Sequence, residues 1–192
     1  IEAIAERMDW KSDLYHKIAP FVAKHAILAS NTSGLSITRL SEALPEQLRP
    51  RFCGIHFFNP PRYMHLVELI ATPTTQAQVQ DQLEAFVTSA LGKGVVRAKD
   101  TPNFIANRVG TAGMLGTMKE VEKFGLTFDV VDDLTGKRLG RASSGSFRTI
   151  DVVGLDTVGH VIKTLQDNLS AETDSFYPTF GTPEVLKKLI EL

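Results

Sequence analysis

"GIHFFNPPRYMHLVELI", residues 54–70, reads as a strand, a double-proline turn and a second strand. Apolar, aromatic and β-branched residues fill both arms, which marks a strand pair inside a core rather than a solvated loop. Within these arms His56 and Glu68 stand out as ionisable residues in otherwise buried-looking strands. With residue 62 as the hairpin centre, position 56 lies opposite position 68. Opposed residues on antiparallel strands have Cβ atoms about 5 Å apart on one face. A carboxylate on one imidazole nitrogen fixes the tautomer and stabilises the imidazolium, leaving the other nitrogen as a general base. The same pairing also serves as a plain structural contact, and a longer loop or a one-residue slip abolishes it.

Outward from the hairpin, the N-terminal side alternates short apolar runs with helical patterns. Residues 10–24 place Leu14, Ile18, Phe21 and Val22 on one helical face, interrupted by Pro20. Residues 26–30 read as a buried strand, 36–44 as a helix, and 51–58 and 65–71 as the two hairpin strands. Residues 75–92 put Val79, Leu83, Phe86, Val87 and Leu91 on one face and stop at Gly92; 94–99 read as a further strand. This order predicts an open, largely parallel α/β sheet over residues 1–100. After the turn signal Asp100-Thr101-Pro102 the pattern is helical. Residues 104–125 form a long helix with Gly110, Gly113 and Gly116 on one smooth face, two more helices follow, and Thr182-Pro183-Glu184 starts another. A helical second domain is therefore expected over residues 101–192.

Composition narrows the function classes. The 192 residues carry a net charge of −1, which gives no electrostatic pointer to nucleic acid or an anionic membrane. No apolar run is long enough for a membrane-spanning helix. The single cysteine, Cys53, excludes an internal disulfide framework and fits a reducing compartment, the cytoplasm or the mitochondrial matrix. Cys53 lies three residues before His56, so on a strand it faces away from it, and a Cys–His nucleophilic pair is not expected. His65 and Glu68 likewise face opposite sides, and the remaining histidines lack ligand spacing, so no metal site is expected. The chain opens on "IEAIAERMDW" without an initiator Met and ends on "PEVLKKLIEL" inside a helical pattern, which reads as part of a longer chain.

Other polar residues fall where strands should end. Asn31 and Ser33, in "SNTSG" after the 26–30 strand, stand where ligands bind in open α/β sheets, beyond the carboxyl ends of strands. Turn and helix-cap chemistry explains the same residues, and Asn59 shares that ambiguity. Asn107, early in the long helix, carries little signal by itself, and Glu6 and Lys11 read as surface charges. No G-x-G-x-x-G or P-loop occurs in the sequence.

"SNTSGLSI", "GIHFFNPPRYMHLVELI", "DTPNFIANR" and "VGLDT" occur in the order found in 3-hydroxyacyl-CoA dehydrogenases, and the chain resembles that family over about residues 1–165. The later residues look most like the dehydrogenase region of multifunctional fatty-acid β-oxidation proteins. The resemblance implies the C-terminal part of a Rossmann-like nucleotide-binding domain followed by an all-helical domain that supports dimerisation. It implies NAD as cofactor and an L-3-hydroxyacyl-CoA as substrate. In its light His56 resembles the catalytic base and Glu68 its orienting partner. Ser33 and Asn107 resemble residues that hydrogen-bond the reacting oxygens. Glu6, Lys11, Asn31, Ser33 and Asn59 resemble residues around the nicotinamide and its ribose. Three departures accompany it. The family's glycine-rich βαβ unit is absent from these residues, so the polypeptide alone is expected to bind NAD+ weakly or not at all. Gly34 stands where many relatives have serine, and "SSGSFRTID" replaces a glycine-proline-phenylalanine segment near the acyl pocket. Non-catalytic assembly and a short-chain 3-hydroxybutyryl-CoA dehydrogenase remain the alternatives.

Overall fold

The computed structural model describes residues 1–190, in two compact units, Ile1–Ile105 and Ala106 onward. The first is built on a four-stranded sheet in the order β1 (Leu28–Ser30), β2 (Phe52–Phe57), β3 (Leu66–Ala71), β4 (Gly94–Ala98). β1–β2 and β3–β4 pair in parallel, and β2–β3 pair antiparallel through the proline turn. Glu2 forms a single parallel bridge to Ser30.

The pleat divides the strand residues between two cores. Phe52 and Ile70 face one side with Tyr15, Ile37, Leu40 and Phe104, under α1 (Met8–Ile18) and α2 (Ile37–Glu42). Cys53, Ile55, Val67 and Leu69 face the other with Val79 and Val87 of α3 (Ala77–Ser89). By the same alternation His56 and Glu68 belong to the α1/α2 face and Cys53 to the opposite one. Gly54 lets Ile37 sit directly on the sheet: a Cβ there would stand 2.8 Å from the Ile37 Cδ1.

Two helices follow their predicted faces only in part: Ile18 and Val22 pack against one core and Val79, Leu83 and Val87 against the other. In α1 the buried side chains are Lys11 and Tyr15, whereas Phe21 is 86% exposed beyond the helix, in a 3₁₀ turn around Pro20. The reason is Glu2, whose carboxylate lies under α1 and draws Lys11 inward. In α3 the helix ends at Ser89 and leaves Phe86 and Leu91 largely exposed, so Val79, Val87 and the partly buried Leu83 do the packing.

The second unit comprises α4 (Ala106–Phe124), α5 (Phe128–Thr135), α6 (Phe147–Val153), α7 (Leu155–Asn168) and α8 (Glu184–Ile190). Leu115, Met118, Val158, Ile162, Leu165 and Leu186 form the centre of its core. A Cβ at Gly110, Gly113 or Gly116 would meet no described atom within 4 Å, so that stripe of α4 is open. Ser146, at the N-cap of α6, makes no side-chain cap hydrogen bond. The helix N-terminus is capped from α5, where the Asp132 carboxylate accepts from the backbone N–H groups of Phe147 (2.6 Å) and Arg148 (3.2 Å).

That cap requires Gly145. Its φ is +68°, and an added Cβ would lie 2.5 Å from the Asp132 Cα and carbonyl oxygen. Left-handed backbone and a clash with main chain act together, so Gly145→Ala destabilises the protein by roughly 2–3 kcal/mol. Denaturant unfolding of the variant checks this; an unchanged midpoint refutes the cap geometry.

Candidate active site

The β2–β3 register pairs His56 with Glu68, as the hairpin centred on residue 62 predicts. His56 Nδ1 lies 2.8 Å from Glu68 Oε2. The residues are 2% and 0% exposed. The other carboxylate oxygen, Oε1, accepts the backbone N–H of Ile105 at 2.9 Å. An ionised carboxylate only accepts, so Nδ1 carries the hydrogen and Nε2 is the nitrogen that can receive a proton. The rings of Phe58 and Phe104 flank the imidazole, with centroids 4.4 and 5.5 Å away. The imidazole is oriented and desolvated, an arrangement that suits a general base.

The carboxyl ends of the parallel strands β1 and β2 lie at one end of the sheet; Asn31, Ser33 and Asn59 follow them, and Glu6 reaches the same loop. The Asn31 Oδ1 accepts the Phe57 N–H at 2.9 Å, which ties the loop after β1 to the last residue of β2. Ser33 and Asn59 are exposed, Asn59 just before a cis peptide to Pro60. The Glu6 Oε1 accepts from the Thr32 hydroxyl (2.6 Å) and from the N–H groups of Ser33 (2.8 Å) and Gly34 (3.0 Å). Glu6 thus shapes the Ser33 turn rather than standing as an isolated surface charge.

Lys11 is not at the surface. It is fully buried, with its ammonium 2.7 Å from Glu2 Oε1, 3.1 Å from the Ile4 carbonyl and 3.8 Å from Glu6 Oε2. Glu2 also accepts from Tyr15 Oη (2.9 Å), Ser30 Oγ (2.7 Å) and the Ile4 N–H (2.7 Å). Burial by itself raises the Glu2 carboxyl pKa. The donors Lys11, Ser30, Ile4 and Tyr15 outweigh it and hold the group below its ordinary value. Burial, with Glu2 alongside, drives the Tyr15 phenol far above its usual range, so it stays a donor. Burial likewise pushes the Cys53 thiol up to about 12, which leaves it inert.

Asn107 belongs to the second unit, in the first turn of α4. Sequence reasoning gave no weight to Glu2, Tyr15 and Ser30, nor to Phe104 and the Ile105 N–H. An acid inside the apolar opening "IEAIA" was a usable signal for the first three. A backbone donor leaves none. Among the described residues no group of three or more His, Cys, Asp or Glu side chains has a metal-holding arrangement.

The family profile for the 3-hydroxyacyl-CoA dehydrogenase NAD binding domain matches residues 1–101, and that for the 3-hydroxyacyl-CoA dehydrogenase C-terminal domain matches residues 104–192. A probable 3-hydroxyacyl-CoA dehydrogenase of Deinococcus radiodurans is 50% identical over 84% of this chain and 46% of its own length. The mitochondrial hydroxyacyl-coenzyme A dehydrogenase of Sus scrofa is 38% identical over 99% of this chain and 58% of its own. Among solved structures, (S)-3-hydroxybutyryl-CoA dehydrogenase PaaH1 from Ralstonia eutropha superposes with a TM-score of 0.85 at 28% identity, covering 99% of this chain and 64% of that one. FadB2 of M. tuberculosis gives 0.84 at 32% identity with the same coverage. The chain spans about half or less of the curated relatives it matches first, from 46% of one down to 24% of another. With the two profiles together matching residues 1–101 and 104–192, the chain belongs to the 3-hydroxyacyl-CoA dehydrogenase family.

Proposed function

We propose that, within its full-length protein, this chain carries out the NAD-dependent oxidation of an L-3-hydroxyacyl-CoA to the 3-ketoacyl-CoA in fatty-acid β-oxidation. The observation that carries this reading is the buried His56–Glu68 pair, 2.8 Å apart and walled by aromatic rings. The substrate class follows from the relatives' names. Residues 1–100 act as the NAD-binding part and 101–192 as the helical part that completes the enzyme and supports a homodimer or a larger multifunctional chain. The buried Cys53 thiol suits a reducing compartment, cytoplasmic in a bacterium.

The residues fit the nicotinamide end of the cofactor. Glu6, Ser33 and Asn59 are exposed polar groups around the carboxyl ends of parallel strands, with Asn31 bracing their loop. Lys11, sealed beneath, sets the charge balance of Glu6 instead of touching a ligand. Bound there, NAD+ supplies the acceptor for the hydride from C3. The chain supplies the rest. His56 Nε2 takes the C3 hydroxyl proton, and Glu68 compensates the positive charge that then resides on the imidazole. Ser33 hydrogen-bonds a reacting oxygen and holds the hydroxyl toward the base.

The pyrophosphate cradle is not among these 192 residues, because no G-x-G-x-x-G occurs. The 192-residue polypeptide is therefore expected to bind NAD+ weakly or not at all, and a full-length protein that carries such a cradle to bind it more tightly. Fluorescence titration of both separates the cases, and micromolar binding by the short polypeptide contradicts the assignment. NADH production by the full-length protein on 3-hydroxyacyl-CoAs of increasing length tests the reaction and ranks acyl length. No turnover on any of them favours a non-catalytic assembly module.

A further inference from the structure

The turn that leaves β4 has an unusual backbone. Asn103 and Phe104 are successive non-glycine residues with φ of 59° and 51°, a left-handed conformation that Asn tolerates but that is costly for Phe104. Both are 2% exposed. Such a conformation persists only where its surroundings enforce it. At the upstream end Asp100 accepts from the Ser36 hydroxyl (2.9 Å) and from the N–H groups of Ile37 (3.0 Å) and Thr38 (2.8 Å), which anchors the turn to α2. In the middle the Phe104 N–H closes on the Thr101 carbonyl at 2.9 Å, and its ring joins the Tyr15–Ile37–Phe52–Ile70 core. At the downstream end the Ile105 N–H reaches Glu68 Oε1. The left-handed pair is thus what turns the chain so that one residue's ring meets the imidazole and the next residue's N–H meets the carboxylate.

We propose that the Thr101–Ile105 turn is the positioning element of the base, with the Ile105 N–H clamping Glu68 and the Phe104 ring fixing the plane of His56. Neither residue touches the reacting atoms. Without the clamp the Glu68 carboxylate rotates about its terminal torsion, and without the ring the imidazole rocks and admits water. The ordering of the pair, not the presence of its two members, is what the turn supplies.

This inference rests on the reading of His56 as the base, so the test uses one readout that needs no turnover. In the full-length protein, two variants are compared with wild type: Phe104→Leu, and a variant in which Ile105 is replaced by its α-hydroxy acid, so that the N–H becomes an ester oxygen. Proton NMR follows the His56 Nδ1–H resonance and its exchange with water, and steady-state kinetics follow kcat and KM. We expect exchange to speed up about tenfold and kcat to fall about tenfold at little-changed KM in both variants. Val87→Ala, a buried change in the other core layer, lowers stability and leaves the resonance intact. An unchanged resonance and kcat in both turn variants overturns the inference, as does loss of the resonance in Val87→Ala. A full-length protein that shows the NMR effect but oxidises no 3-hydroxyacyl-CoA defeats the assigned reaction and leaves the positioning role standing.

Discussion

Lys11→Met destabilises the folded protein by about 3–5 kcal/mol, toward the lower end of that range. The side chain keeps its length, so packing is nearly conserved, and the loss is electrostatic. Glu2 stays buried with its carboxylate facing only the Tyr15 and Ser30 hydroxyls and the Ile4 N–H. Those three donors soften the penalty but do not neutralise the charge. The deficit depends on pH in a defined direction. In the wild-type protein the folded Glu2 pKa lies below its reference value of 4.5. Its contribution is therefore complete above that pH and drains as pH falls through the lowered folded value. In the variant the ammonium is gone and burial dominates, so the folded carboxyl rises and protonates in mild acid, which relieves the buried charge. The gap between the two proteins is widest near neutrality and narrows on acidification toward pH 4. Urea unfolding at several pH values measures it; a gap that is small at pH 7 or grows in acid contradicts the network.

Glu68→Gln lowers the turnover of the full-length protein by about 10²-fold or more while the fold survives. The geometry explains why an isosteric change is so costly. Both Glu68 oxygens accept N–H donors, His56 Nδ1 on one side and the Ile105 backbone on the other. An amide offers one acceptor and one donor. If its oxygen serves Ile105, its NH₂ faces His56 and drives the imidazole to the tautomer with hydrogen on Nε2, which is then no base. If its oxygen serves His56, the NH₂ opposes the Ile105 N–H and the turn is disturbed. Both outcomes remove function without opening a cavity in the apolar core. Turnover should fall with a nearly unchanged melting temperature and little change in KM. Wild-type turnover in the variant eliminates Glu68 as the orienting group.

The legible and illegible parts of the molecule differ in physical kind. The hairpin register was legible because Pro60-Pro61 marks a turn and strand periodicity then fixes which residues oppose each other. The helical second unit was legible from the 3.6-residue pattern of α4 and α7 and from Thr182-Pro183 ahead of α8. α1 was misread in part, because apolar periodicity assumes that charges face water, and here a buried acid at position 2 reverses this for Lys11. Phe21 fell outside the helix for a local reason that Pro20 announced. α6 was missed because its cap comes from Asp132, far along the chain, not from its own first residues. At the candidate site the side chains were visible by type, whereas the Ile105 N–H and the left-handed Asn103–Phe104 turn are backbone features without a residue signature.

His56 is the group proposed to remove the hydroxyl proton. The most direct test of that assignment is the single-turnover rate of hydride transfer by full-length His56→Ala, with NAD+ and a 3-hydroxyacyl-CoA already bound. The predicted rate is about 10²-fold or more below wild type with substrate affinity little changed. A rate equal to that of the wild-type enzyme contradicts it.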